Sequence, residues 1–105
     1  MSIESILREE LERLQEAQKS YRREIDSLPK GSIQRKKING SAYPYLMFRV
    51  GKRVNSRYLG GMPKDRLEQL QKDIELRHKR EEMLNKVRKN IFDINRMIHA
   101  RRRSG

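Results

Sequence analysis

The sequence predicts an α+β fold: two long helices paired as an antiparallel coiled-coil hairpin, with a three-stranded antiparallel β-meander inserted between them. Three observations predict it. Apolar residues recur at alternating steps of four and three through residues 2–28, and again through much of 63–102. Asn39-Gly40 stands between two extended-looking runs, the strongest short-range signal for a hairpin. The composition, 34% hydrophobic and 38% charged in 105 residues, is too polar for a large spherical core. It suits thin elements that bury narrow stripes, and a chain of this length reads as a single domain over residues 1–105.

The first helix, 2–28, carries Leu7, Leu11, Leu14, Gln18, Tyr21, Ile25 and Leu28 on one seam, a heptad pattern with one polar position at Gln18. Ser2 can cap its start. Pro29 ends it, because the residue before a proline is pushed away from helical torsions. The meander, 32–59, follows. Ile33–Ile38 and Ser41–Val50 flank Asn39-Gly40, and Gly51-Lys52 turns the chain into a third strand, Arg53–Leu59. Gly60-Gly61 closes the sheet. Pro63 and Asp65 then suit the first turn of the second helix, 63–102. Its stripes are Leu67, Leu70, Ile74 and Leu84, Val87, Ile91, Ile94, Ile98. They are out of phase across residues 77–84, which reads as a stutter or a local change of partner in the seam rather than a break. The seam residues are expected to pack helix on helix within one chain; a homodimeric coil is the alternative. Residues 101–105 form a basic tail.

Charge is unevenly spread. The chain has 26 Lys+Arg against 14 Asp+Glu, a net +12. Residues 27–64 hold nine basic residues and no acidic one, whereas residues 1–26 are net −2 and 65–98 net +2. The excess therefore sits on the sheet and on Arg101, Arg102 and Arg103. A surplus of this kind draws polyanions. With two-residue turns the strand faces follow from parity alone. One face carries Ile33, Arg35, Lys37, Leu46, Phe48, Arg53, Arg57 and Leu59. The other gathers Lys36, Tyr43, Tyr45, Met47, Arg49, Val54 and Tyr58.

No catalytic, metal or cofactor site emerges. Without cysteine, disulfides, thiolate metal sites and cysteine nucleophiles are excluded. His78 and His99 stand far apart on one helix with no companion ligands. Gly60-Gly61 lacks the Lys-Ser/Thr sequel of a phosphate loop. Glu9-Glu10 and Glu81-Glu82 lie in mixed-charge helical segments that read as solvated faces. The most apolar run, Ala42–Phe48, contains Pro44 and falls far short of the ~20 residues that span a bilayer. The N-terminus has no signal-like stretch. The expectation is a cytoplasmic protein that is not an enzyme and does not engage membranes.

The residues Gly31-Ser32-Ile33-Gln34-Arg35-Lys36-Lys37, Tyr43-Pro44-Tyr45, Gly51-Lys52-Arg53-Val54 and Tyr58-Leu59-Gly60 resemble the arm-binding N-terminal domains of phage tyrosine integrases. The same run looks like small proteins of phages and mobile elements in which such a sheet joins two coiled-coil helices. The integrase resemblance implies a sheet that binds DNA. The long first helix departs from that pattern, and a chain this short is not expected to carry recombinase catalytic residues. The expected function is non-enzymatic nucleic-acid binding, to DNA or RNA. Arg35, Lys36, Lys37, Lys52, Arg53 and Arg57 would hold phosphates, Tyr43, Tyr45, Arg49 and Tyr58 would touch bases or sugars, and Arg101–Arg103 would add a basic tail. The alternative is a phage-encoded inhibitor or adaptor whose partner is a host nucleic-acid enzyme, such as an RNA-guided nuclease.

Overall fold

A computed structural model describes residues 2–104, the side chains of 103 and 104 excepted. Its order is α1 (Ile3–Ser27), β1 (Ser32–Ile38), β2 (Ser41–Val50), β3 (Arg53–Tyr58) and α2 (Lys64–Ser104). This is the α+β arrangement read from the sequence, with boundaries moved by one or two residues. Ser2 caps α1: its Oγ accepts from the Ser5 amide at 3.1 Å, and its carbonyl from the Ile6 amide at 3.2 Å. Helix α2 begins one residue later than expected. Pro63 stands just outside it, and its carbonyl accepts the first helical bond, from the Leu67 amide at 3.0 Å.

The chain divides into two compact units, Met1–Ser27 with Lys79–Gly105, and Leu28–His78. The first is a helical hairpin. Arg102 Nε lies 3.9 Å from Glu4 Oε1 at one end, and Arg80 pairs with Glu24 toward the other, so the two helical segments run antiparallel. Leu14, Ile25, Leu84 and Ile98 are buried along the seam, and Leu7, Leu11, Gln18, Tyr21, Val87, Ile91 and Ile94 are half-buried. Helix α1 also carries ion pairs one turn apart, such as Glu4 with Arg8 and Glu10 with Arg13. The Arg13 hydrogen bond to Glu10, helped by its charge, holds the Glu10 carboxyl below its ordinary range and raises the guanidinium.

The second unit holds the sheet, in the order β1-β2-β3, and the first turns of α2. Both hairpins are two-residue turns. Asn39 (φ 53°) and Gly40 (φ 84°) take the left-handed torsions that a type I′ turn requires, and Gly51 (φ 62°) opens the second turn. Gly31 has φ 108°, and a β-carbon there would run into the Met47 carbonyl, so only glycine fits where the chain enters β1. Pro44 sits in the central strand without cost to the ladder. The alternation of bonds directs its missing N–H toward β3, which has already ended, while its carbonyl accepts from the Leu59 amide at 2.9 Å. Leu59 and Ile74 are buried at the core of this unit, Ile74 with only 2% of its surface exposed. Arg77 is buried too, at 8%, and donates to the Leu28 carbonyl at 2.7 Å, where α1 has just ended. Helix α2 runs unbroken through the stutter: Arg77 and Arg80 take the seam positions from which apolar residues are missing.

Candidate nucleic-acid interface

The register places nine of the ten sheet residues singled out from the sequence, and the tenth, Lys52, lies in the second turn. Pairs Lys36↔Tyr43, Gln34↔Tyr45, Tyr45↔Tyr58 and Arg49↔Val54 lie on one face; Arg35↔Pro44, Lys37↔Ala42, Leu46↔Arg57 and Val50↔Arg53 lie on the other. Four of these residues converge. Tyr58 stands between the other two rings, with centroids 5.3 Å from Tyr45 and 6.3 Å from Tyr43, tilted by 49° and 57°. The Lys36 amine lies 4.7 Å from the Tyr45 ring centroid, a cation–π contact. Tyr43 and Tyr45 are half-buried, whereas Tyr58 keeps 55% of its surface in solvent. The rings form a tilted cluster, not a ladder of parallel plates. Lys36 covers one face of Tyr45, so the ring most open to a stacked base is Tyr58.

Arg49 is on this face but one pair beyond Met47, beside exposed Val54. Arg35, Lys37, Arg53 and Arg57 project from the reverse face, along the two outer strands, and Lys52 is at the turn. All seven sheet cations are exposed, and among the described residues none is held in an ion pair. The acid-free sequence around them accounts for that: no carboxylate is close along the strands to neutralise them. On the reverse face, Ile33 and Arg35 line a groove of about 620 Å³ together with Lys64, Leu67, Glu68, Gln71, Lys72 and Glu75 of α2.

The tail belongs to the other unit. Arg101 and Arg102 are exposed and helical, and Arg102 faces Glu4. The side chain of Arg103 lies outside the described residues. Among the described residues no group of three or more His, Asp or Glu side chains could hold a metal ion, and no helix is long and apolar enough to cross a membrane.

One residue of the site was read from the sequence only as a loop terminator. A β-carbon on Gly60 would occupy the space taken by the Tyr58 ring and hydroxyl, so this glycine is what lets the tyrosine fold back over the strand end. The available signal was the spacing Tyr58-Leu59-Gly60, an aromatic and a glycine two apart and hence on one side of an extended chain.

Fold and site together define a small α+β protein in which a helical hairpin is joined to a basic, tyrosine-bearing meander. The chain belongs to the family described as Domain of unknown function (DUF6788), whose profile matches residues 2–72: α1, the whole sheet and the first turns of α2. No curated protein and no solved structure matches it.

Proposed function

We propose that this chain is a non-enzymatic nucleic-acid-binding protein of phage or mobile-element type, acting in the cytoplasm through its β-sheet. The observation that carries the reading is the set of seven exposed cations, Arg35, Lys36, Lys37, Arg49, Lys52, Arg53 and Arg57, on one small sheet without a carboxylate among them. Keeping seven like charges together costs self-repulsion, and a phosphate backbone relieves it while releasing counterions. Lys and Arg on the outer strands hold phosphates; Tyr58, with Tyr43 and Tyr45 behind it, meets a base or sugar. Fluorescence anisotropy with duplex, single-stranded DNA and structured RNA probes tests the reading. With about six phosphates neutralised, log affinity for duplex falls against log salt with a slope of about −5. Binding that ignores salt sinks the proposal.

A second reading is favoured by a specific observation: Ile38 and Val54, both about half exposed, extend the tyrosine face at its two ends. That apolar margin suits a protein surface better than a phosphate backbone. In this reading the chain is an inhibitor or adaptor docking on a nucleic-acid enzyme, and a partner retained through nuclease treatment of the lysate distinguishes it from the first.

A further inference from the structure

We propose that the outer edge of β1, with the groove beside it, accepts an extended acidic peptide as a fourth strand of the sheet. Such a role goes beyond nucleic-acid binding, and the edge and groove both belong to the unit formed by Leu28–His78. Strand β1 is an edge strand, exposed from Gln34 onward, and outside helices and strands no main-chain bond among the described residues reaches it. The two-residue turn makes Ile38↔Ser41 the closing hydrogen-bonded pair, so alternation turns the N–H and C=O of Ile33, Arg35 and Lys37 away from β2. The side chains of these same three residues lie on the groove face. An added strand would therefore find main-chain partners at the edge and space for every second side chain in the groove between β1 and α2.

Charge chooses the occupant. Arg35, Lys36 and Lys37 run consecutively along the edge, and Lys64 and Lys72 stand across the groove, none of them in an ion pair among the described residues. Such an edge repels a second copy of itself, the usual protection of an edge strand, but attracts a strand of acids. Glu68 and Glu75 share the α2 wall, and Glu75 accepts from Gln71 Nε2 at 3.0 Å, so the acids of the peptide belong over β1 rather than against the helix. Ile33 and Leu67 supply the apolar end of the groove. An antiparallel strand thus places acids opposite Lys37, Lys36 and Arg35, and an apolar residue opposite Ile33.

The probe is the fluorescein-labelled peptide Glu-Glu-Glu-Thr-Val, titrated into the full chain and followed by anisotropy and by amide NMR. The amides of Ile33, Arg35 and Lys37 should shift on binding. N-methylation of alternate peptide nitrogens, which keeps every charge, should weaken binding about tenfold, as should Lys37→Pro relative to Lys37→Ala. Lys37→Pro removes an outward N–H without touching the ladder to β2, a placement proline tolerates. Circular dichroism of both variants reports the fold, and the methylated peptide tests the same bond on the unaltered protein. Equal binding of the methylated peptide, or amide shifts confined to other strands, overturns the proposal. So does displacement by an oligonucleotide with no effect of methylation, which would reveal a surface that binds any polyanion.

Discussion

Tyr58 reaches the middle of the aromatic cluster because Gly60 leaves room for its ring, and this makes a glycine in a loop part of the candidate site. Gly60→Ala should displace the ring while the sheet persists. If the ring stacks on a base, Gly60→Ala and Tyr58→Ala each weaken single-strand binding by about 1–3 kcal/mol, read by anisotropy at fixed salt. An unchanged affinity in both would remove Tyr58 from the interface. The Glu10 carboxyl is held low chiefly by its hydrogen bond from Arg13. Its folded value lies below its unfolded one, so what it adds to stability is present above the unfolded value and fades as acid carries the pH down through the folded one. Carboxyl-detected NMR should find Glu10 titrating below an ordinary glutamate, and Arg13→Gln should return it to the ordinary range.

At the scale of elements, α2 stays continuous across a stretch where its apolar seam lapses. Arg77 fills a seam position in that stretch, its stem buried and its guanidinium on the Leu28 carbonyl. Arg77→Met keeps most of the stem's packing and removes the donor. Such a loss costs about 1.5–3 kcal/mol of stability in denaturant melts. A neutral result would show that the carbonyl is satisfied by other means. This residue also marks the limit of what could be read from sequence. Periodicity located both helices, and two turns of two residues settled which strand residues share a face, because parity propagates from the turns through every pair. The spacing reaches Arg77, but its role was not legible, since a charged residue at a seam position looks like an interruption until its partner, the Leu28 carbonyl just past α1, is known. Gly60 was missed for the same reason: its role depends on where a neighbouring side chain folds. The groove beside β1 could not be foreseen either, because no local pattern states how a helix sits against a strand.

For the whole molecule, the decisive fact is the contrast between a sheet with seven basic residues and no acid and helices whose charges are mixed. Its cations were legible as a cluster in the sequence, and the register then divided them: Lys36 and Arg49 beside the tyrosines, Arg35, Lys37, Arg53 and Arg57 behind, Lys52 at the turn. A surface with cations on both faces and along both outer strands suits a backbone that passes over an edge better than a flat platform. The salt dependence of nucleic-acid binding tests this most directly. For the unaltered chain, log affinity for duplex should fall with log salt at a slope of about −5, and replacing Arg35, Lys36 and Lys37 by glutamine should make that slope shallower by about 3. An unchanged slope in the triple variant, or an affinity indifferent to salt in the unaltered chain, would contradict a nucleic-acid role for the sheet.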